Sequence, residues 1–152
     1  MCLCGSKKST MKKSQLAIEN FKTLNCAQSV LLSHAEELKI DRATALRMAL
    51  GFGGGMAMGE TCGAVTGAYM VLGLKANFKE KTVPEIKADT KAAVRRFNEL
   101  FIAKHGSLQC KKLLGVDLSK PEGSAEANAK GLFDSICAPL VASAAEILEN
   151  EF

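Results

Sequence analysis

Apolar residues recur every three or four positions after Pro84, and this spacing constrains the fold of the chain more than any other feature. On an α-helix, such spacing places the apolar side chains on one face, which packs against a core. Thr82 and Glu85 have the spacing of a capping box at the start, and Gly106 is typical of a helix end. The pattern therefore predicts a long amphipathic helix that runs to about Lys104. The residues on its apolar face are Ile86, Thr90, Ala93, Val94, Phe97, Leu100 and Phe101.

Composition extends this prediction to the whole chain. Aromatic residues make up 5% of the sequence and Trp is absent, whereas Ala, Leu, Met and Gly are plentiful. Strands draw on β-branched and aromatic residues, so this mix favours close-packed helices. We therefore predict an all-α fold, a compact bundle of five to seven helices.

Local signals predict where the other helices begin. Residues that cap helix N-termini precede four further segments. A turn is predicted over residues 119–123, and the last helical region is predicted to start at Ser124. That region should break near Pro139, because proline cannot donate to the carbonyl four residues back. The predicted capping residues are Asn25, Asp41, Thr61 and Ser107.

The 152 residues suffice for one domain with its own core. We predict a flexible basic tail over residues 1–13 and a single helical domain over residues 14–152. Nucleic-acid binding needs a basic stripe on a folded element with aromatic stacking partners, and the sequence shows neither, so no nucleic-acid partner is predicted. Much of the basic excess behind the net charge of +4 lies in the tail, at Lys7, Lys8, Lys12 and Lys13.

No stretch approaches the ~20 apolar residues that cross a bilayer, and the N-terminus lacks an apolar segment followed by a cleavage site. We therefore predict no membrane insertion and a cytoplasmic location. There, six cysteines favour metal or redox chemistry over a disulfide framework. Two of them, Cys2 and Cys4, lie in the predicted tail. The four in the predicted domain, each near a predicted helix end, are Cys26, Cys62, Cys110 and Cys137.

A glycine-rich run over residues 51–59 leads into Cys62, which is predicted to lie at the start of a helix ending at about Leu74. The partial positive charge and free N–H groups of a helix N-terminus stabilise a thiolate, so Cys62 is predicted to have a lowered pKa. Glycine lets backbone N–H groups come close to sulfur. The glycines predicted to contribute to a cofactor site are Gly53, Gly54, Gly55 and Gly63.

The cysteines and their surroundings resemble one known family. The residues that carry the resemblance are Asn25-Cys26-Ala27-Gln28, Cys62-Gly63-Ala64-Val65-Thr66-Gly67-Ala68, Cys110 ahead of Leu113-Leu114-Gly115, and Cys137. Over roughly residues 14–148 the chain is similar to the redox-active C_GCAxxG_C_C family, with four separated cysteines and a CGAxxG motif. The resemblance implies a helical redox-associated protein. A related domain occurs with haem domains in the split-Soret type of cytochrome, where an iron–sulfur centre accompanies it. The chain has no Cys-x-x-Cys-His, so covalent haem is not implied.

Three uses of the four cysteines remain open. The favoured one is electron transfer or redox sensing through a [2Fe–2S] or similar cluster held by Cys26, Cys62, Cys110 and Cys137. The second is metal-free thiol–disulfide exchange, in which Cys62 attacks and Cys26 is the first choice of resolving thiol. The third is a non-catalytic binding or assembly module, whose cysteines hold a structural zinc or are inert core residues.

A redox function implies a partner protein that the sequence does not identify. The small residues Gly63, Ala64, Gly67 and Ala68 form one face of the predicted 62–74 helix, and a homodimer could form through this face. Other polar residues have ordinary interpretations. Glu60 is expected to be a solvated loop carboxylate, and His34 and His105 are expected to be surface or packing residues.

Overall fold

A computed structural model of the protein describes residues 11–152. Most of the predicted tail, including Cys2 and Cys4, lies outside these residues. Eight α-helices occur within them, which confirms the all-α prediction. The helices are α1 (Lys13–Phe21), α2 (Cys26–Ser33), α3 (Arg42–Ala49), α4 (Gly63–Leu74), α5 (Val83–His105), α6 (Cys110–Leu114), α7 (Pro121–Ala129) and α8 (Ala138–Glu151).

Helix α2 lies at the centre of the bundle. It packs against α1, α3, α4 and α8, and every residue from Ala27 to Ser33 is buried. Helix α5 packs against α4 and α8, where Phe97 and Phe101 are fully buried with ring centroids 5.8 Å apart. Because α2 is covered on all sides, its N-terminal residue Cys26 lies where several helices meet.

The small residues of α4 allow it to approach α2 closely. A Cβ atom added to Gly67 would lie 2.7 Å from the Ala27 carbonyl oxygen. The neighbouring small residues Gly63, Ala64 and Ala68 are also buried. The face predicted to form a homodimer is therefore covered by α2 of the same chain, and a dimer would need another surface.

Several predicted caps are confirmed. The Asn25 side chain accepts from the Gln28 N–H at 2.9 Å, and the Asp41 side chain accepts from the Thr44 N–H at 3.0 Å. Helix α5 has its capping box at Thr82 and ends at Gly106, as predicted.

Two predicted boundaries near the chain end are wrong. Helix α7 begins at Pro121, inside the predicted turn. The break before α8 lies at Gly131, whose φ of 63° suits glycine, and not at Pro139. Pro139 occupies the first turn of α8, where the backbone N–H groups have no partner within the helix, so the N–H that proline lacks is not needed there. A π-helical turn, Phe133–Cys137, leads into α8.

Two predicted caps are also displaced. Cys62 itself is the N-cap of α4, because Thr61 pairs with Gln109 in an isolated antiparallel bridge. Gln109 is the N-cap of α6, and the Ser107 hydroxyl accepts from its N–H at 3.0 Å.

Within residues 11–152 no single helix has both the length and the apolar character to span a bilayer. Helix α7 and the segment Phe133–Glu151 reach the required length and composition only together, and they are bent by 79°.

Candidate functional site

Four free thiols lie at the N-terminal ends of four helices. Cys26 is the first residue of α2 and Cys110 is the first residue of α6. Cys62 is the N-cap of α4, and Cys137 is the N-cap of α8. The placement near helix ends that the sequence indicated is therefore present in the fold.

The fold brings these four residues together. Cys26, Cys62 and Cys110 line one cavity of about 520 Å³. The side chain of Cys26 interacts with that of Cys137, and this interaction raises the pKa of Cys26 and lowers that of Cys137. Negative charge on any of the other three sulfurs raises the pKa of Cys26, so all three lie close enough to act on it.

Cys62 and Cys110 are held together by backbone pairing. The Cys62 N–H donates to the Leu108 carbonyl oxygen at 2.8 Å, and the Cys110 N–H donates to the Glu60 carbonyl oxygen. These bonds flank the Thr61–Gln109 bridge, which places the two cysteines diagonally on one face of the paired segments. Diagonal neighbours of this kind have Cα atoms about 7–8 Å apart, which exceeds the usual Cα separation in a disulfide.

The Glu60 side chain reinforces this pairing. Its carboxylate accepts from Gln109 Nε2 at 3.0 Å and from Lys111 Nζ at 3.3 Å, which are the residues on either side of Cys110. The Gln109 hydrogen bond and then the Lys111 ammonium lower the pKa of Glu60. Glu60 is therefore bonded on both oxygens. The sequence did not reveal this, because its partners are far away along the chain.

Glycine allows the helix ends to meet. A Cβ atom added to Gly63 would lie 2.9 Å from the Cβ of Cys26, and one added to Gly55 would lie 2.9 Å from the Cβ of Cys110. Gly55 also has a φ of +62°, which a larger residue adopts only with strain.

The predicted glycines thus have different neighbours. Gly53 lies against the Asn25 side chain, whereas Gly54 and Gly63 line the cavity itself. A role of Gly53, Gly54, Gly55 and Gly63 in binding a cofactor stays a prediction.

Asn25 links the glycine-rich loop to the start of α2. Its Nδ2 donates to the Leu50 carbonyl oxygen at 2.9 Å while its Oδ1 caps the helix. Gln28 adds a second link through Nε2, which donates to the Leu46 carbonyl oxygen at 2.9 Å. The cap was predictable from the sequence, but these links to the segment before the glycines were not.

The predicted low pKa of Cys62 is wrong. Burial, together with the smaller effect of the charge of Cys137, raises its pKa to about 11. The Ala64 and Val65 N–H groups at the start of α4 lower the pKa of Cys62, but they offset only part of the effect of burial. The Cys62 side chain does not cap the helix with a hydrogen bond. Burial, followed by the charges of Cys62 and Cys137, raises the pKa of Cys110 to about 12.

Cys137 is the thiol with a lowered pKa. The hydrogen bond from Cys26 stabilises its thiolate and outweighs the effect of burial. The same bond, followed by burial, raises the pKa of Cys26. In this pair Cys137 is therefore easier to deprotonate than Cys26.

The thiols form two pairs and not a cage around one point. Within residues 11–152, no group of three or more His, Cys, Asp or Glu side chains is arranged to hold a single metal ion. A structural zinc takes four ligands around one ion, which this arrangement does not supply as it stands. A [2Fe–2S] cluster takes two thiolates on each of two irons, so four cysteines match it in the number and type of donors.

The fold and the site define a class: a small all-α protein in which helix ends bring four thiols together and three of them line one cavity. The chain belongs to the family described as "Putative redox-active protein (C_GCAxxG_C_C)", whose model matches residues 24–151. This confirms the family resemblance inferred from the four cysteines. No curated protein and no solved structure matches the chain.

Proposed function

We propose that this redox-active protein transfers electrons, or senses redox state, through a [2Fe–2S] cluster held by Cys26, Cys62, Cys110 and Cys137. The observation that carries the proposal is that Cys26, Cys62 and Cys110 line one cavity while Cys137 interacts with Cys26. When bound, such a cluster supplies one-electron chemistry.

The charges at the site favour a cationic ligand. Burial and the neighbouring sulfurs raise the pKa of Cys26, Cys62 and Cys110, so thiolates there lack compensating positive charge. Thiolates are the ligand form, and a soft metal centre supplies the missing charge. The surrounding N–H groups would stabilise charge on sulfur.

Anaerobic purification tests this proposal. We expect a coloured protein with equal amounts of iron and acid-labile sulfide. Cys62→Ser should remove the colour and most of the iron, whereas Cys2→Ser should retain both. Colourless protein without iron, from cells that load other iron–sulfur proteins, contradicts the proposal. Equal loss of iron in both variants contradicts the ligand assignment.

A second function is favoured by the interaction between Cys26 and Cys137, which lowers the pKa of Cys137. In metal-free exchange, the Cys137 thiolate attacks a disulfide of a partner protein and releases one partner sulfur as a thiolate. Cys26 then loses its proton and attacks the Cys137 sulfur, which releases the second partner sulfur. The partner disulfide gains two electrons, and the Cys26–Cys137 pair loses them to form a disulfide.

Mass spectrometry separates these functions. Exchange requires metal-free protein in which a disulfide reagent oxidises Cys26 and Cys137 to a disulfide and a dithiol reduces this disulfide again. Protein that contains zinc but no iron, or whose thiols react with neither the disulfide nor the dithiol reagent, instead indicates the non-catalytic assembly module. The redox partner protein and the cytoplasmic location stay predictions.

A further inference from the structure

An open groove lies between the C-terminal end of α4, the connection after it, and the first half of α5. Its volume is about 740 Å³, and its lining includes Gly73, Phe78 and Val94. Phe78 is 69% exposed, which is unusual for an aromatic side chain on an otherwise well-packed bundle. Gly73 faces open space, because a Cβ atom added there would have no neighbour within 4 Å. We call this surface the α4–α5 groove.

Three cations form one edge of the α4–α5 groove. Lys87, Lys91 and Arg95 are exposed and follow one another at four-residue intervals on α5. Neighbours at this interval are about 6 Å apart along a helix. The ion pairs that α5 makes within the described residues involve Asp89, Arg96 and Lys104 and leave these three cations without a carboxylate partner.

The groove lies away from the thiols. Helix α4 begins beside Cys62 and the groove lies at its other end, so about 17 Å of helix separates the two. A molecule in the groove would leave the thiol cavity open.

We propose that the α4–α5 groove docks an acidic amphipathic helix of another protein. A partner helix with carboxylates at i, i+4 and i+8 would match the spacing of the three cations. Its apolar face would cover Phe78 and Val94 and fill the space above Gly73. Two effects would stabilise the complex: the apolar surface is removed from water, and the carboxylates of the partner helix attract the three cations.

The charges on the page argue against other occupants. Residues 1–10 contain Lys7 and Lys8 and no acidic residue, so their charge does not complement the groove. The groove floor is apolar, and a phosphate backbone has no apolar face to cover it. The whole chain carries +4, so a second copy has no general excess of acidic charge to offer.

A designed peptide tests the proposal with the full chain. The probe is a labelled helical peptide with leucines on one face and glutamates flanking them. The matched control peptide carries lysines in place of the glutamates. Fluorescence anisotropy should show that the glutamate peptide binds and that high salt weakens this binding. The lysine peptide should bind at least tenfold more weakly. Lys87→Glu combined with Lys91→Glu should weaken glutamate-peptide binding about tenfold.

The chain offers a matched steric control. Gly73→Leu should fill the groove and abolish binding, whereas Gly51→Leu adds the same side chain in open space elsewhere and should not change it. Equal binding of the two peptides, or equal effects of the two leucine variants, overturns the proposal. So does no binding, a DNA oligonucleotide that binds more tightly than the peptide, or self-association that Gly73→Leu abolishes.

Discussion

The side chains of Cys26 and Cys137 interact and so join the start of α2 to the start of α8. This interaction raises the pKa of Cys26 and lowers that of Cys137, which makes Cys137 the better thiolate. The reactive thiol of the metal-free protein is therefore expected to be Cys137.

Cys26→Ala should raise the pKa of Cys137, because the variant removes the hydrogen bond that lowers it. In reduced, metal-free protein, the rate of Cys137 alkylation by iodoacetamide should rise with pH around a midpoint, and the variant should move this midpoint upward. At neutral pH the variant should react more slowly, because less thiolate is present. Mass spectrometry of the modified peptides measures the rate.

Cys110→Ala serves as the control, because Cys110 does not contribute to the pKa shift of Cys137. Its midpoint should equal that of the unmodified sequence. The same midpoint in both alanine variants would show that the hydrogen bond does not set the reactivity of Cys137.

Gly63→Ala should destabilise the fold and disturb the thiol pair. The added Cβ would lie 2.9 Å from the Cβ of Cys26 and 3.1 Å from the Phe52 carbonyl oxygen, so α2 or the loop must move. We expect a loss of about 1–3 kcal/mol in the free energy of unfolding. Gly73→Ala, on the same helix, meets no atom within 4 Å and should stabilise the protein by about 0.5–1 kcal/mol. Urea unfolding that gives equal shifts for both variants refutes this steric explanation.

Local sequence predicted much of the fold. Both ends of helix α5, the capping box at Thr82 and Gly106, were predicted correctly. Each of these signals depends only on residues within one or two helical turns, so it can be recognised in the sequence. The same reasoning failed at Pro139, because proline marks a break inside a helix but is favoured in its first turn. The break between α7 and the last helical segment lies instead at Gly131, where the chain turns with a positive φ.

The site was predicted less completely. The sequence indicated that four cysteines lie near helix ends, but which sulfurs pair depends on contacts far apart in the chain. The raised pKa of Cys62 illustrates the limit. A helix N-terminus is visible in the sequence, whereas the burial that outweighs it exists only after α2 and α4 have packed.

Glu60→Ala should loosen the pairing that places Cys62 beside Cys110. The variant removes the hydrogen bond from Gln109 and the ion pair with Lys111, but it keeps the backbone bond from the Cys110 N–H. We expect faster hydrogen exchange at the Cys110 amide and faster alkylation of its thiol. Glu126→Ala removes an ion pair on α7 and should leave both rates unchanged. If Glu60→Ala leaves both rates unchanged too, its side chain does not position Cys110.

His34 is a buried imidazole at the C-terminal end of α2. It is fully inaccessible to solvent, its Nδ1 lies 3.0 Å from the Ser33 hydroxyl, and its Nε2 has no hydrogen-bond partner. Burial is the main cause that lowers the pKa of His34, and the charges acting on it come from Lys13, Glu37 and Lys75. The expectation of a packing residue is thus correct for His34, and burial favours its neutral imidazole.

His34→Gln should reduce the loss of stability in acid. The unfolded chain binds a proton at His34 below about pH 6.5, whereas the folded chain binds it only at lower pH. The stabilisation is therefore complete above that pH and is lost as pH falls toward the folded pKa, by up to ~1.4 kcal/mol per pH unit. Urea unfolding between pH 7.5 and 5 should show a shallower decline in the variant. His105→Gln should have a smaller effect, because His105 is partly exposed and its Nε2 pairs with Ser143. Parallel pH profiles for His34→Gln and the unmodified sequence would exclude His34 as the source of acid sensitivity.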